Sequence, residues 1–337
     1  APWRTYVNYN DPRLIEKYYS QMKEWFKYVD KYTVDGLLKR WPDTKYRDWY
    51  LGDWLAPMGV DAGNQASVDL VSNCFISECL STMYKTAITL GKREEAEEFA
   101  MRREKLNKLI HQTFYREDEG IYSTGSQLDM CYPMLVGVVP DSLYNKVKEN
   151  VVAMTEEKYK GHIAVGLVGV PILTEWAVRN KQVDFFYQMM KKRDYPGYLY
   201  MIDHGATATW EYWSGERSRV HNCYNGIGTW FYQAVGGIRL DEANPGYRHF
   251  YVDPQIPNGV TWAKVTKESP YGTIAVNWKL KDDNQLNLQL TVPAGTTATV
   301  CIPNNAVSCK KNKKKVSVKE QTVDVEAGHY DFLFNLK

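Results

Sequence analysis

The stretch SVDLVSNCFISECLSTMYKTAITLG (residues 67–91) and its continuation, KREEAEEFAMRREKLNKLIHQTFY (residues 92–115), establish the helical character of the chain. In both stretches apolar residues recur at intervals of three and four, the spacing that lines one face of an α-helix. Gly91 followed by Lys92 is typical of a helix end and a new helix start. The two stretches therefore predict an antiparallel helical hairpin.

The same helical pattern runs from Asp11 to about Ala234. Paired antiparallel helices can close into a toroid, and the connections at one end of a toroid line a central funnel. Three aromatic-rich connections are candidate pocket walls: WYLGDWLAP (49–57), GIYSTGSQLDM (120–130) and ATATWEYW (206–213). Further helical segments are predicted around residues 128–138, 140–157, 164–180, 182–193 and 222–235.

After Gly236 and Gly237 the pattern changes to short alternating runs separated by Gly, Pro, Asn and Asp. Alternation with turn residues predicts antiparallel strands, and about a hundred residues is a common size for a β-sandwich. We place the boundary near residue 240. The basic run KKNKKK at 310–315 has two interpretations, a binding patch or a solvated hairpin tip between two strands, and the hairpin tip is the commoner case.

Composition limits the classes of function. The 337 residues carry a formal net charge of +2, which gives no electrostatic argument for nucleic acid as a partner. Aromatic residues make up 14%, with 11 Trp and 25 Tyr. Sugar rings stack on aromatic rings, so this excess fits a carbohydrate ligand, but a large apolar core explains it equally well.

Metal, cofactor and membrane functions lack support in the sequence. The cysteines are dispersed, without a C-x-x-C pair or a His/Cys cluster at ligand spacing, so we expect no structural metal and no cofactor. No apolar run approaches the length of a membrane span, and we expect no signal peptide. We expect no membrane partner.

One carboxylate stands in an unusual setting, within ATATWEYWSGERSRVHNCYNGIGTW at residues 206–230. Glu211 lies between Trp210 and Tyr212, and aromatic flanks desolvate a carboxylate and raise its pKa. Such a setting favours proton transfer and costs stability, which indicates a functional site. The alternative is a carboxylate paired with an arginine such as Arg217 at a barrel rim.

Six motifs follow one another along the chain: DPRLIEKYYSQMKEWFKYV (11–29), YLGDWLAP (50–57), YSTGSQ (122–127), GHIAVGLVGVPIL (161–173), YPGYLYMIDHGATATWEYW (195–213) and RVHNCYNGIGTWFYQAVGGI (219–238). Their order resembles the glycoside hydrolase family of bacterial α-L-rhamnosidases. The resemblance covers Ala1 to Ile238, and the strand region that follows resembles the small β-sandwich closing those enzymes.

The resemblance implies an inverting hydrolase built on an (α/α)6 barrel, with residues 1–239 in the barrel and 240–337 in the β-sandwich. Inversion uses two carboxyl groups, one protonating the leaving oxygen and the other activating a water. Glu211 matches the family's general base. His221 matches a ligand-contacting histidine, although a histidine in this position is otherwise more often a cap or core residue.

The other implied pocket residues come from aromatic and polar positions. Trp54 matches a residue that packs against rhamnose, and Trp213 joins it in the implied sugar pocket. Asp53 either accepts a hydrogen bond from a sugar hydroxyl or caps the following turn. Gln127 and Thr124 are expected in the pocket wall rather than in catalysis.

The general acid of the family is a Glu in an Asp-x-x-x-Arg-x-Glu segment, which we expect upstream of residue 1. The stretch DTKYRDWYLGDW (43–54) has the Asp and Arg spacing but carries Trp49 in the Glu position. The sequence is therefore expected to be the C-terminal portion of such an enzyme, a toroid missing its first helices. Apolar helix faces would then be exposed, which predicts poor solubility or a homo-oligomer.

Two alternatives to the rhamnosidase interpretation stay open. The first is a sugar-binding protein without turnover, which keeps a pocket at Trp54, Trp213 and His221. The second is an inverting (α/α)6 hydrolase that acts on a different sugar. The resemblance further implies a periplasmic or extracellular location.

Overall fold

The computed structural model describes residues 1–41, 49–57, 63–281 and 284–337. These residues form two compact units, 19–227 and 1–18 together with 228–337. Residues 1–18 group with the C-terminal residues because helix α1 (Pro2–Tyr9) packs against the turn Pro245–Tyr247. The range 1–239, which the sequence predicts as barrel, therefore contains residues of both units.

The predicted helical hairpin of residues 67–115 is confirmed. Helix α3 (Gln65–Thr89) and helix α4 (Arg93–Phe114) pack side by side. Gly91 ends the first helix with a positive φ of 73°, a conformation that glycine adopts without strain. Inside the hairpin the Ser77 hydroxyl donates to Asn107 Oδ1 at 2.6 Å. Buried polar groups on the two helices thus satisfy each other.

The rest of this unit continues as helices joined by short hairpins and loops. None of the described helices has the length and the apolar content needed to cross a membrane. The further elements that reach into or lie within residues 19–227 are α2 (Arg13–Asp30), β1 (Thr33–Val34), β2 (Leu37–Leu38), β3 (Tyr115–Arg116), β4 (Ile121–Tyr122), α5 (Gln127–Leu135), α6 (Asp141–Tyr159), α7 (Gly169–Arg179), α8 (Val183–Met190) and α9 (Tyr198–Asp203).

Two predicted helices differ from the structure in a way that bears on the site. The helix predicted at 164–180 begins at Gly169, and residues 163–168 form an irregular stretch, here called the 163–168 segment. The predicted helix at 222–235 is a 3₁₀ turn (Asn225–Ile227), a short helix α10 (Gly228–Trp230) and a π-helical turn (Phe231–Val235). Gly226 contributes to this irregularity, since it approaches Pro171 so closely that a Cβ would lie 2.9 Å from the proline nitrogen.

The C-terminal unit contains the predicted β-sheets. A four-stranded sheet has the order β13, β10, β6, β5, and a six-stranded sheet has the order β12, β11, β14, β9, β8, β7. The strands are β5 (Ile238–Leu240), β6 (His249–Val252), β7 (Trp262–Ser269), β8 (Gly272–Lys281), β9 (Gln285–Val292), β10 (Thr297–Cys301), β11 (Ala306–Lys311), β12 (Lys314–Val316), β13 (Thr322–Val325) and β14 (Gly328–Leu336).

Pairing in both sheets is antiparallel with one difference from the prediction: β6 and β10 pair in parallel. Parallel neighbours need a crossover connection, and here strands β7, β8 and β9 of the other sheet lie between them in sequence. Trp278 anchors this unit through its indole N–H, which donates to the Val235 carbonyl at 2.7 Å. The basic run 310–315 forms the predicted hairpin tip between β11 and β12.

Candidate functional site

Glu211 lies in a closed loop of residues 209–221, here called the Glu211 loop. Two backbone bonds close its base: His221 N–H donates to Thr209 O at 2.8 Å, and Glu211 N–H donates to Ser218 O at 2.9 Å. The indole of Trp210 fills the loop and is 1% exposed. Gly215 lies against it with φ of 81°, where a Cβ would sit 2.7 Å from the ring. The loop is thus packed by its own side chains, which holds Glu211 in place.

The carboxylate of Glu211 is half-buried and lightly bonded. Its Oε2 accepts the Ser218 N–H at 3.3 Å, and within the residues that the structure describes it forms no salt bridge. The guanidinium of Arg217 lies 5.5 Å from the centre of the Tyr212 ring, and that of Arg219 lies over Trp210. The two arginines contact aromatic faces and form no salt bridge with the Glu211 carboxylate.

Cys223 carries a buried thiol close to Glu211. Burial of the thiol, together with the nearby charge of Glu211, raises the pKa of Cys223 to about 11. The thiol is therefore protonated at neutral pH and is not a nucleophile.

His221 lies at the end of the Glu211 loop with a defined tautomer. Its Nδ1 accepts the backbone N–H of Cys223 at 3.1 Å, so the neutral ring carries its proton on Nε2. Thr209 holds the turn, since its hydroxyl lies 2.5 Å from the carbonyl of His221. The Nε2–H makes no hydrogen bond to the described residues, and contact of His221 with a ligand stays a prediction.

Asp53 holds a helix that begins more than a hundred residues later. Its carboxylate accepts backbone N–H groups from Gly166 at 2.7 Å, Gly169 at 2.9 Å and Val168 at 3.1 Å. Burial raises the pKa of Asp53 to about 6, the three N–H donors oppose that rise, and the charge of Asp129 adds to it. The side chain thus caps the first turn of α7, and its contact with a sugar hydroxyl stays a prediction.

Trp54 presents its indole to solvent while its backbone is fixed. The ring is 41% exposed, and the Trp54 carbonyl accepts the Leu167 N–H at 2.7 Å. Gly166 permits this approach, because a Cβ there would lie 2.1 Å from that carbonyl oxygen. An exposed, positioned indole is suited to stacking on the apolar face of a sugar.

Trp213 is buried rather than exposed, at 1%. Its indole N–H donates to the Val165 carbonyl at 2.9 Å, and its ring stacks on Tyr224 with centroids 4.0 Å apart. One ring face and the N–H therefore contact protein groups in this structure. Through the bond to Val165, Trp213 supports the 163–168 segment. Its contact with a ligand stays a prediction.

Tyr224 joins the two candidate loops and was not found by sequence analysis. Its hydroxyl lies 2.9 Å from the Leu55 carbonyl and 3.2 Å from the Glu211 carbonyl. The carbonyls of Leu55, which follows Trp54, and of Glu211 therefore both lie within hydrogen-bond distance of the Tyr224 hydroxyl. The local sequence contains no signal for this role, since Leu55 and Tyr224 lie 169 positions apart.

Gln127 and Thr124 both form hydrogen bonds to other protein groups. The Gln127 amide donates to the His162 carbonyl at 2.9 Å and accepts the Ala164 N–H at 2.8 Å. The Thr124 hydroxyl donates to Asp129, whose pKa burial raises above the ordinary value. The Gln127 amide therefore holds the backbone at residues 162 and 164, and the place of both side chains in a pocket wall stays a prediction. Of the segment that resembles the acid motif, Trp49 is exposed, while Asp43 and Arg47 lie outside the described residues.

Two family models match this chain. The model described as the bacterial alpha-L-rhamnosidase 6 hairpin glycosidase domain covers residues 1–235. The model described as the bacterial alpha-L-rhamnosidase C-terminal domain covers residues 237–317. The resemblance found in the sequence is thereby confirmed.

Curated relatives carry the same description. An alpha-L-rhamnosidase of Alteromonas sp. (strain LOR) is 26% identical over 350 residues, which cover 98% of this chain and 36% of the relative. An alpha-L-rhamnosidase of Formosa agariphila is 27% identical over 359 residues, covering 98% and 37%. The chain spans a little more than a third of the length of these relatives.

Solved structures share the fold. The alpha-L-rhamnosidase of Streptomyces avermitilis, complexed with L-rhamnose, aligns with a TM-score of 0.86 at 23% identity, over 98% of this chain and 32% of that one. The enzyme from Dictyoglumus thermophilum aligns with a TM-score of 0.88 at 21% identity, over 99% and 38%. The predicted fold class, helical hairpins of the (α/α)6 type followed by a β-domain, is confirmed.

Proposed function

The chain belongs to the bacterial α-L-rhamnosidase family, and on this premise we propose that the full-length gene product is an inverting hydrolase of terminal α-L-rhamnose. The substrates are rhamnose-containing glycans or glycosides. A relative with the same fold is complexed with L-rhamnose, which supports this sugar over another hexose. The observation that carries the proposal is the shared phenol of Tyr224, which links the Trp54 loop to the Glu211 loop.

Glu211 is assigned as the general base. In an inverting reaction a carboxylate takes a proton from water while that water attacks the anomeric carbon from the face opposite the leaving group. The support is the light bonding of Glu211, one backbone N–H at 3.3 Å. The general acid is assigned, from the resemblance, to a glutamate upstream of residue 1.

Sugar binding is assigned to Trp54 and His221. The exposed indole stacks on the sugar, and the C5 methyl group of a deoxy sugar adds apolar area worth about 0.8 kcal/mol per buried carbon group. The Nε2–H of His221 donates to a sugar hydroxyl. Asp53 and Trp213 hold the wall against which the sugar lies, because their hydrogen bonds go to the 163–168 segment and the start of α7.

The test uses the full-length gene product and an aryl α-L-rhamnoside. We expect release of L-rhamnose with the β-anomer appearing first in NMR spectra, as inversion requires. Glu211→Gln should lower kcat by about 10²- to 10⁴-fold, since the amide cannot act as a base, while calorimetry still detects L-rhamnose binding. Glu216→Gln, an exposed residue of the same loop, is the matched control.

Three outcomes would contradict the proposal. Glu211→Gln and Glu216→Gln variants with similar kcat would remove Glu211 from its role. Retained L-rhamnose binding without release would favour a sugar-binding protein. Faster hydrolysis of another aryl glycoside would favour a different sugar. The periplasmic or extracellular location stays a prediction from the resemblance, and the homo-oligomer stays a prediction from the expected exposure of apolar helix faces.

A further inference from the structure

Positive charge is concentrated at the tip of the hairpin between β11 and β12, here called the lysine hairpin. Lysines occupy every position from 310 to 315 except Asn312. The chain has 42 basic and 40 acidic residues, so without these five lysines it would have 37 against 40 and a formal charge of −3. A chain that is otherwise slightly acidic therefore places its excess positive charge at one point.

The pairing of the hairpin brings like charges together. Lys310 lies directly opposite Lys315, and Lys311 lies directly opposite Lys314. Like charges in directly opposed positions destabilise a strand pair. Lys313 adds a fifth ammonium group in the turn, in a left-handed conformation with φ of 67°. The folded state thus holds five positive charges within one short ladder.

The described part of the chain supplies little compensation. None of the five lysines forms a salt bridge with a described residue. The ammonium of Lys311 lies 5.8 Å from the centre of the Tyr330 ring. The carboxylate residue across from the turn is Asp331, whose Oδ1 accepts a bond from Gln289. The side chains of residues 313–315 are exposed to solvent.

Protection of a sheet edge does not account for the pattern. Strand β12 is the edge of its sheet, and lysines on an edge strand oppose association with another sheet. Strand β11, however, pairs on both sides, with β12 and β14, and still carries Lys310 and Lys311. The charge therefore extends beyond the exposed edge, which points to a ligand rather than to edge protection alone.

We propose that the lysine hairpin binds an acidic polysaccharide, a polymer of carboxylated or sulfated sugars. This inference rests on the proposed function, because a hydrolase of terminal sugars acts on glycans and a second contact raises the local concentration of a polymeric substrate. A broad nucleic-acid surface is disfavoured, since the rest of the chain has a net negative charge. Released counterions supply the binding free energy, which makes binding dependent on salt.

The test measures binding of the full-length gene product to polygalacturonate, with neutral dextran as comparison polymer. We expect binding to polygalacturonate and none to dextran. The affinity should fall about tenfold or more between about 50 mM and about 200 mM salt. The variant Lys313→Gln/Lys314→Gln/Lys315→Gln should lose at least about tenfold in affinity at the lower salt concentration.

The matched control changes the same amount of charge elsewhere on the sheet. Lys264→Gln/Lys279→Gln/Lys281→Gln alters exposed lysines of β7 and β8 and should keep nearly all of the affinity. An equal loss in both triple variants would overturn the hairpin assignment, because net charge would then explain binding. Tighter binding of duplex DNA than of polygalacturonate would overturn the polysaccharide assignment.

The melting temperature and the assembly state of the lysine-hairpin variant are measured as well. The hairpin variant should melt at the same temperature as the parent protein or higher, since it loses repulsion between opposed lysines. Self-association of this variant in gel filtration with unchanged polymer binding would show edge protection and overturn the proposal. Binding is measured without turnover, so failure of rhamnoside hydrolysis with retained polymer binding refutes the proposed function and not this inference.

Discussion

The hydroxyl of Tyr224 lies 3.2 Å from the backbone carbonyl of Glu211 and, at the same time, 2.9 Å from the carbonyl of Leu55. The Tyr224 ring is held by its stack on Trp213. A side chain that is fixed at the ring and bonded at the hydroxyl sets the spacing between the loop that carries Trp54 and the loop that carries Glu211. This relationship makes the geometry of the candidate site testable by single substitutions.

Tyr224→Phe removes the hydroxyl and keeps the stack on Trp213. One hydrogen bond contributes about 1 kcal/mol, so we expect kcat/KM on an aryl α-L-rhamnoside to fall about fivefold, chiefly in kcat. Tyr132→Phe is the control, because it also removes a buried hydroxyl, one bonded to Glu78 away from the two loops. Steady-state kinetics and melting temperatures are compared. Equal kcat in the two variants would contradict a positioning role for Tyr224.

Gly166→Ala introduces a methyl group where the backbone of Trp54 lies. The Cβ would meet the Trp54 carbonyl oxygen at 2.1 Å and the Ala56 nitrogen at 2.6 Å, and a backbone atom cannot move aside as a flexible side chain can. We expect a loss of about 2 kcal/mol or more in the free energy of unfolding, measured by urea denaturation. Gly228→Ala, with nothing within 4 Å of its Cβ, should be neutral or slightly stabilising. Similar stability of both variants would show that the close approach is absent in solution.

We expect the free energy of unfolding to depend on pH through the protonation of Asp53. Its pKa is about 6 in the folded protein, raised chiefly by burial, against the ordinary value of 3.8. The folded state binds this proton more tightly than the unfolded state, so the stabilising contribution is present at low pH and is lost as pH rises through 6. The difference of about two pK units corresponds to about 3 kcal/mol.

Urea unfolding between about pH 4 and about pH 7 measures this contribution. Asp53→Asn cannot take up the proton, so its free energy of unfolding should decrease less over that range than that of the parent protein. Asp118→Asn, a change at an exposed position, is the control. An unchanged pH dependence in Asp53→Asn would mean that the carboxylate is less buried in solution than in this structure.

Trp54→Ala tests stacking on the sugar. Aromatic stacking contributes about 0.5 to 1.5 kcal/mol beyond area burial, so we expect KM to rise about two- to tenfold with a smaller change in kcat. The ring is 41% exposed, and its removal should leave the melting temperature nearly unchanged. Trp262→Ala, another exposed indole at 62%, should leave KM at the parent value. A KM unchanged by Trp54→Ala would exclude this contact.

Helix and strand positions were largely predictable because their signals are local. The hairpin of α3 and α4 follows from apolar residues three and four positions apart, and the sheets follow from alternation. The helix predicted from residue 164 begins instead at Gly169. In such a helix the N–H groups of Val168 and Gly169 would donate to the carbonyls of residues 164 and 165. Here both N–H groups donate to Asp53, and the Val165 carbonyl accepts the indole N–H of Trp213. Those partners lie far away in sequence.

In the candidate site, too, some features depend on neighbouring residues and others on contacts between residues far apart in sequence. The family, the succession of helices and strands, and the position of Glu211 between aromatic residues follow from the order of residues alone. Folding in three dimensions makes Asp53 the cap of α7, buries Trp213 against the 163–168 segment, and brings the Tyr224 hydroxyl within hydrogen-bond distance of both loops. Periodicity is a property of residues within one or two turns of each other, whereas these contacts join residues up to 169 positions apart and exist after the chain has folded.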